Sequence, residues 1–373
     1  MMDEAAGARG ALHGVRVIEM AGFGPAPFCG MLLADMGADV VRVERANAPE
    51  RGFPMEPRFE VLNRGRRSIA LDLKTDLGRS TLLRLVGKAA ILIEGFRPGV
   101  MERLGAGPQE CLELNPALVY GRVTGYGQDG PMAHMAGHDL NYVALTGALH
   151  AVGPANGDPV PPLNLVGDFG GGGMLLAVGV LSAYIEALRS GTGQVVDAAM
   201  VDGASLLLAS TYGLMAAGYW TDERGSNVLD GGAPWYSVYR SKDGRYVSVA
   251  AVEQRFYDEL LRILGLDSAS LPSRKDKARW PELRRVFAAR FAELSSAEID
   301  ALLSGSDACY APVMSLRDAP ANAQLQARRT FITVDGVVQP APAPRFSATR
   351  ASVRRPPPRP GEHTEEVLRE WLE

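Results

Sequence analysis

Gly14-Val-Arg-Val-Ile-Glu-Met20 begins the continuous stretch that determines the fold class. The stretch goes on with Ala21-Gly-Phe-Gly-Pro-Ala-Pro27, Phe28-Cys-Gly-Met-Leu-Leu-Ala-Asp-Met36 and Gly37-Ala-Asp-Val-Val-Arg-Val-Glu44. The first and last runs are rich in β-branched residues and predict buried strands, and the third predicts a helix that ends at Gly37. A strand, a glycine-containing turn, a helix and a second strand within about thirty residues form a βαβ unit. The sequence therefore predicts an α/β fold with a parallel sheet.

Further strand-like runs follow along the chain, over residues 68–74, 90–94, 118–123 and 193–200. Several of them end in loops that carry arginine, lysine or glycine. Because the carboxyl ends of the strands in a doubly wound sheet line one crevice, we expect these loops to converge on a phosphate-bearing ligand. The alternative for each single arginine is a solvated surface charge.

The turn Gly22-Phe-Gly24-Pro25 superficially resembles a dinucleotide-binding fingerprint. Its third glycine is out of place, and Pro25 has no backbone N–H to offer to a phosphate. The sequence therefore argues against a nicotinamide cofactor.

A second informative stretch, residues 137–174, combines two titratable side chains with glycines. It begins Gly137-His138-Asp139-Leu140-Asn141-Tyr142 and ends Asn164-Leu-Val-Gly-Asp168-Phe169 before four glycines, residues 170–173. Because a glycine run costs backbone entropy, we expect another group to approach the backbone closely here. An apolar helix predicted over residues 174–188 would place Asp168 at a helix N-terminus. His138 and Asp168 are candidate acid–base groups, the alternatives being a junction histidine and a helix cap.

The polar, glycine-rich segment 221–232 predicts a domain boundary. Beyond it, an Asp-Gly turn at residues 243–244 separates two alternating runs and predicts a hairpin, and three helices follow. The tail is rich in proline before a last predicted helix, residues 364–372. These patterns predict a large α/β domain and a smaller α+β domain.

Composition limits the class of protein further. The chain has 373 residues, 46% of them hydrophobic. Its formal net charge is −4, so it has no overall positive charge that would attract nucleic acid or a membrane surface. Cys29, Cys111 and Cys309 are isolated, so neither a disulfide framework nor a metal site is expected. The first ten residues lack the apolar core of a secretory signal, and no apolar run reaches membrane-spanning length without a charge or a glycine. We therefore expect a cytoplasmic protein.

Several motifs together carry a resemblance to a known family. They are Arg16-Val-Ile-Glu-Met20, Leu33-Ala-Asp-Met-Gly-Ala-Asp-Val-Val-Arg-Val-Glu44, Ile69-Ala-Leu-Asp-Leu-Lys74, Glu94-Gly-Phe-Arg-Pro-Gly99 and Gly193-Gln-Val-Val-Asp197. The set resembles the family III coenzyme A transferases, also called CaiB/BaiF-like proteins. Within that family, the α-methylacyl-CoA racemases are similar at Gly137-His138-Asp139, Gly167-Asp168-Phe169-Gly170, Gly231-Gly-Ala-Pro-Trp-Tyr236 and Glu253. The likeness extends over nearly the whole chain.

The resemblance implies an architecture and a ligand. A large Rossmann-like domain would comprise residues 1–220, completed by the tail 325–373, and a small α+β domain would comprise residues 225–320, with two chains interlocked as a homodimer. The ligand would be an acyl-CoA thioester, so coenzyme A belongs to the substrate and no separate cofactor or metal is implied. The positions that match the family's CoA contacts are Arg45, Leu71, Asp72, Leu73, Lys74, Gly95, Phe96, Arg97, Arg103, Gly137, Asp139, Leu140, Asn141 and Tyr142.

The likeness to the racemases also implies a reaction, inversion of the carbon next to a thioester carbonyl. A proton leaves one face and returns to the other through a planar enolate, which requires an acid–base group on each face. His138 and Asp168 match the family's pair. Glu253 matches a carboxylate that hydrogen-bonds the histidine, from the same chain or from the partner. We expect the helix N-terminus near Met174, with the backbone N–H of Asp168, to stabilise the enolate oxygen.

Two other functions stay open. In the transferases, the aspartate at the position of Asp168 is a nucleophile that forms an anhydride and passes coenzyme A between carboxylates. His138 favours the racemase, because transferases usually carry an aromatic residue there. A non-catalytic acyl-CoA-binding protein would have no need of titratable groups at His138, Asp168 and Glu253.

Overall fold

The computed structural model describes residues 9–45 and 55–373 and divides into two units. The larger unit contains residues 9–45, 55–146, 163–207 and 323–373, and the smaller unit contains residues 147–162 and 208–322. The predicted large domain, residues 1–220, included two segments that here group with the smaller unit, residues 147–162 and 208–220.

The strands and helices are numbered along the chain. The strands are β1 (Arg16–Met20), β2 (Asp39–Glu44), β3 (Arg67–Ala70), β4 (Ile91–Glu94), β5 (Val119–Thr124), β6 (Gln194–Ala199), β7 (Tyr236–Arg240), β8 (Tyr246–Ala250), β9 (Tyr310–Pro312), β10 (Phe331–Val334) and β11 (Val337–Pro340). The helices are α1 (Pro25–Asp35), α2 (Asp76–Val86), α3 (Val100–Arg103), α4 (Pro108–Leu114), α5 (Asp139–Leu145), α6 (Ala148–Ala151), α7 (Leu175–Ser190), α8 (Met200–Leu206), α9 (Ala209–Ala216), α10 (Gln254–Leu264), α11 (Trp280–Glu293), α12 (Ser296–Leu303), α13 (Ala323–Ala327) and α14 (Thr364–Leu372). A π-helical segment, Leu165–Met174, continues directly into α7.

A six-stranded parallel sheet forms the centre of the larger unit, in the order β3-β2-β1-β4-β5-β6. This is a doubly wound order whose switch point lies between β1 and β4, so the predicted α/β fold class is confirmed. Successive strand residues point to opposite faces, and both faces are covered: Val17 packs in the same cluster as Leu176 of α7, and Ile18 in the same cluster as Leu82 of α2. The third strand is shorter than predicted and ends at Ala70 rather than Lys74.

The four consecutive glycines lie where three helical segments meet. An ideal Cβ on Gly171 would come within 2.6 Å of the backbone nitrogen of Ala204 in α8, and one on Gly172 within 2.8 Å of Pro25 in α1. The expectation of a close backbone approach is therefore confirmed. Together with α7, the π-helical segment is long and apolar enough to cross a membrane. A core helix of a globular domain passes the same test, and Leu176 and Val180 of α7 pack in the sheet core.

Two arginines at the start of β3, Arg66 just before it and Arg67 as its first residue, form buried ion pairs. Arg66 is fully buried and donates from Nε to Glu19 Oε2 at 2.6 Å. Arg67 contacts Asp39 at 2.7 Å and Glu366 and Glu370 of α14 at 2.9 and 2.6 Å. A cavity of about 540 Å³ at this edge is lined by Arg67 and other arginines. Arg67 stabilises the packing of the tail on the sheet, because removing one partner would leave a buried charge unpaired.

The smaller unit contains an antiparallel sheet in the order β7-β8-β9. The predicted hairpin is confirmed, with Ser241 donating its backbone N–H to Arg245 O at 2.9 Å across the turn. The core of this unit is aromatic: the rings of Trp235 and Trp280 meet edge to face at 5.2 Å, and Tyr239 stacks on Phe291 at 5.0 Å.

The glycine contacts predict a position-specific loss of stability. Gly171→Ala forces α8 and the π-helical segment apart, so we expect the free energy of unfolding to fall by about 1–3 kcal/mol. Gly87→Ala is the matched control, because its new Cβ meets no atom closer than 3.5 Å and its φ is −61°. Urea unfolding should show an unchanged or slightly raised midpoint for Gly87→Ala. Equal midpoints for both variants would contradict the close approach.

Candidate active site

The positions predicted to bind coenzyme A follow the carboxyl ends of the strands. Arg45 follows β2, residues 71–74 follow β3, and residues 95–97 follow β4. Because the strands are parallel, these positions lie on one edge of the sheet, and Arg67 begins β3 at the opposite edge. Leu71 is buried, Leu73 and Phe96 are half-buried, and the exposed positions on this edge are Arg45, Asp72, Lys74, Gly95, Arg97 and Arg103.

His138 caps the N-terminus of α5, which begins beyond β5. Its backbone is extended, with φ −132° and ψ 174°, and its N–H donates to Asn141 Oδ1 at 3.0 Å. The backbone carbonyl of His138 accepts from the N–H of Asn141 at 2.8 Å. These two bonds fix the helix start, and the His138 side chain is exposed.

A hydrogen bond links α5 to the π-helical segment. Asp139, buried in the first turn of α5, accepts from the backbone N–H of Asp168 at 2.7 Å through Oδ1. Gly167 allows this approach, because an ideal Cβ on it would come within 2.4 Å of the same oxygen. The bond therefore places Asp168 next to the residue that follows His138.

The carboxylate of Asp168 is half-buried and held by two neighbours. Its Oδ2 accepts from Asn164 Nδ2 at 3.1 Å. Gly24 lies against the same oxygen, because a Cβ added to this glycine would come within 3.1 Å of Oδ2. Burial raises the pKa of Asp168 above its ordinary value, Asn164 and His138 lower it, and the charge of Asp139 raises it. The net shift favours a carboxyl group that can both accept and return a proton nearer neutral pH.

Tyr142 lies between the candidate acid–base pair and Arg97, one of the positions predicted to bind coenzyme A. It is buried in α5, its hydroxyl donates to the carbonyl of Gly137, and its ring meets Tyr126 edge to face at 4.8 Å. Burial raises its pKa to about 12, Asp168 adds to the rise, and the guanidinium of Arg97 lowers it. The charges of Asp168 and Arg97 thus both affect the pKa of the Tyr142 hydroxyl, in opposite directions.

Glu253 belongs to the smaller unit, whereas all the other predicted site residues belong to the larger one. It is exposed and occupies the N-cap position of α10, but its side chain makes no capping bond. In the part of the chain that the structure describes, its carboxylate accepts no hydrogen bond from another side chain. No group of three histidine, cysteine or acidic side chains in this part could hold a metal ion.

Two features of this edge differ from the sequence-based expectations. The helix begins at Leu165 rather than Met174, because the glycines allow a π-helical turn, and Asp168 lies inside its first turn. The backbone N–H of Asp168 is bonded to Asp139, so it is not free to stabilise an enolate oxygen. Gly24, which the sequence did not indicate as part of this site, lies in the turn that directly follows β1 and contacts the Asp168 carboxylate.

Comparisons with known proteins now identify the family. The model of CoA-transferase family III matches residues 12–364. The chain belongs to this family. The α-methylacyl-CoA racemase of Mus musculus is 46% identical over 364 residues, covering 96% of this chain and 93% of the relative. The human protein of the same name is 43% identical over 366 residues, covering 97% and 93%.

Transferases of the family are more distant relatives. The succinyl-CoA:glutarate CoA-transferase of Mus musculus is 31% identical over 390 residues, covering 97% of this chain and 86% of the relative. Among solved structures, a CAIB/BAIF family protein from Brucella suis has a TM-score of 0.83 at 27% identity, covering 97% of this chain and all of the other. The fold and the family thus agree with the predicted resemblance.

The contacts of Asp168 predict the effect of Asp139→Asn. The amide oxygen can still accept from the Asp168 N–H, but the negative charge that raises the pKa of Asp168 is gone. We therefore expect the pKa of Asp168 to fall. A ¹³C titration of the labelled aspartate carboxyls, with Asp168→Asn to assign the signal, would measure the change. An unchanged or higher pKa would contradict the coupling of the two carboxylates.

Proposed function

We propose that this family member inverts the α-carbon of 2-methylacyl-CoA thioesters by 1,1-proton transfer through an enolate. The observation that carries the proposal is the presence of a histidine, His138, beside an aspartate, Asp168, that Asp139 holds by its backbone. The two relatives of highest identity described above, both named α-methylacyl-CoA racemase, support this reaction over transfer of coenzyme A.

The two side chains have suitable properties for opposite proton transfers. His138 has an exposed imidazole, whose ring nitrogens can accept and donate a proton. Asp168 has a half-buried carboxylate with a raised pKa, so it takes up a proton more readily than an ordinary aspartate does. Each group would be the base for one enantiomer and the acid for the other. A positioned acid–base group contributes about 10²–10⁴ in rate.

The enolate oxygen needs donors other than the backbone N–H of Asp168. The first N–H groups of a helix have no partner within that helix. In α5 these belong to Asp139 and Leu140, and within the described residues neither donates to a protein acceptor. We assign the enolate oxygen to this turn, because it is adjacent to His138 and already oriented by the Asn141 bond.

The remaining predicted residues bind the nucleotide part and adjust the histidine. Arg45, Lys74, Arg97 and Arg103 are exposed cations on the edge that carries the pair, and arginine forks suit phosphate oxygens. Glu253 is assigned to hydrogen-bond the imidazole of His138, from the same or the partner chain, which would raise its basicity. Coenzyme A is then part of the substrate, and the reaction uses no resident cofactor.

We further propose a homodimer. The helix α7 packs Leu176 and Val180 into the sheet core, yet Val178, Ile185 and Leu188 on its other sides are more than half exposed in the single chain. Exposed apolar surface of this kind is typical of protein–protein contacts. A second copy of the chain is the occupant that the family resemblance implies.

Enantiomer-specific exchange tests the two-base mechanism. In D₂O, His138→Ala and Asp168→Ala should each slow inversion of both enantiomers of a 2-methylacyl-CoA by about 10²-fold or more. Each variant should still exchange the α-proton of one enantiomer. The enantiomer that still exchanges should differ between the two variants, because each variant keeps the base on one face only. Chiral chromatography with mass spectrometry measures both quantities.

The control is His134→Ala, an exposed histidine in the segment before α5, which should leave both rates unchanged. Loss of exchange for the same enantiomer in both variants would contradict two bases on opposite faces. Transfer of coenzyme A to an added carboxylate by His138→Ala, with an acyl adduct on Asp168, would instead support the transferase.

A further inference from the structure

A buried carboxylate lies beneath the loop that carries Arg97 and leads into the helix that carries Arg103, two of the arginines predicted to bind coenzyme A. Glu94 ends β4 and is fully buried. Its Oε2 accepts from the backbone N–H of Phe96 at 2.7 Å, and its Oε1 accepts from Arg122 Nε, on the neighbouring strand β5, at 2.9 Å. Each carboxylate oxygen therefore has its own donor, one in the loop and one in the sheet.

The same arginine reaches the far end of the loop. Arg122 Nη2 lies 2.9 Å from Oε1 of Glu102 in α3, the helix that follows the loop. Glu94, Arg122 and Glu102 thus form a charge ladder that connects the end of β4, the strand β5 and the helix α3. The ladder therefore contacts the loop, residues 95–99, at Phe96 and includes Glu102 of the helix that follows the loop.

The loop and α3 present the two cations to solvent. Arg97 is in the loop and Arg103 ends α3; both are exposed, and neither forms an ion pair in the described part of the chain. An ideal Cβ on Gly99 would come within 3.1 Å of Arg103 Nη1, so this guanidinium lies over the loop. The positions of both cations therefore depend on the loop conformation that the ladder holds.

We propose that Glu94 is a positioning residue for coenzyme A: with Arg122 it fixes the loop 95–99, so that Arg97 and Arg103 are set in place for the phosphates of the ligand. Glu94 itself is buried and touches neither the ligand nor the reacting carbon. This inference rests on the proposed function in one respect, that the ligand is a CoA thioester.

The charge of Glu94 adds a dependence on pH. Burial raises its pKa to about 7, the Phe96 N–H and Arg122 oppose this rise, and Glu102 adds to it. The charged and titratable groups around the ladder are Arg122 and Tyr120 on β5, Glu102 on α3 and Asp197 on β6. Above this pKa the carboxylate is ionised and pairs with Arg122. Below it, the neutral acid resembles glutamine, so the difference between the parent and Glu94→Gln should shrink as the pH falls.

Free coenzyme A is the first probe. Glutamine has one acceptor oxygen, so Glu94→Gln leaves either Phe96 N–H or Arg122 without its partner. Calorimetric titration with free CoA at pH 8 should give a dissociation constant at least tenfold higher for Glu94→Gln than for the parent, and a smaller ratio at pH 6. Arg122→Lys, which keeps the charge but not the fork, should change binding in the same direction and replaces the first variant if that one fails to fold.

Asp35→Asn is the matched control. Asp35 is also a buried carboxylate paired with an arginine, Arg64, at 2.6 Å in the same unit, but it lies in α1 and away from the loop. This variant should lower the melting temperature and leave CoA affinity within twofold of the parent. Equal weakening by Asp35→Asn and Glu94→Gln would show general loosening of the unit and overturn the proposal.

A truncated substrate provides the second readout. The ratio of kcat/KM for a 2-methylacyl-CoA to that for the corresponding pantetheine thioester should fall at least tenfold in Glu94→Gln, because pantetheine lacks the phosphates. An unchanged ratio, or unchanged affinity for free CoA, would overturn the positioning role. If the parent binds CoA and Glu94→Gln weakens it while the parent inverts no substrate, the racemase proposal fails and the positioning role stands.

Discussion

The close approach of the glycine-rich π-helical segment to α1 and α8 is the constraint on which the candidate site depends. Gly171 and Gly172 leave no room for side chains, and the wide turn brings Asp168 over Gly24 at the end of β1. Asp139 then accepts the Asp168 N–H and joins this turn to α5. One packing arrangement thus determines the positions of both the aspartate and the histidine.

Basic residues have different roles at the two edges of the sheet. Arg66 and Arg67, at the start of β3, are buried and paired with carboxylates, and Arg67 pairs with Glu366, which is 299 residues away in the chain. Cations after the strands, such as Arg97, are exposed and carry no carboxylate partner in the described residues. The first set therefore contributes to stability, and the second set is available to an anionic ligand.

Local signals in the sequence were enough to predict the sheet, and they also single out the candidate pair. The strands and the hairpin follow from β-branched runs and an Asp-Gly turn, and His138 and Asp168 stand in recognisable motifs. The π-helical turn could not be predicted, because it depends on contacts with α1 and α8 that no local pattern encodes. The same holds for the bond of Asp139 to the Asp168 N–H and for the pairing of Glu94 with Arg122, since both join residues distant in sequence.

The central claim is that the parent enzyme moves a proton at carbon rather than an acyl group. Its most direct test is a single-enantiomer 2-methylacyl-CoA in D₂O with no carboxylate acceptor, followed for α-deuterium content and optical purity. We predict deuterium uptake together with loss of optical purity, at catalytic enzyme concentration. Retention of both the α-proton and the configuration, with Asp168 found as an acyl adduct by mass spectrometry, would contradict the account.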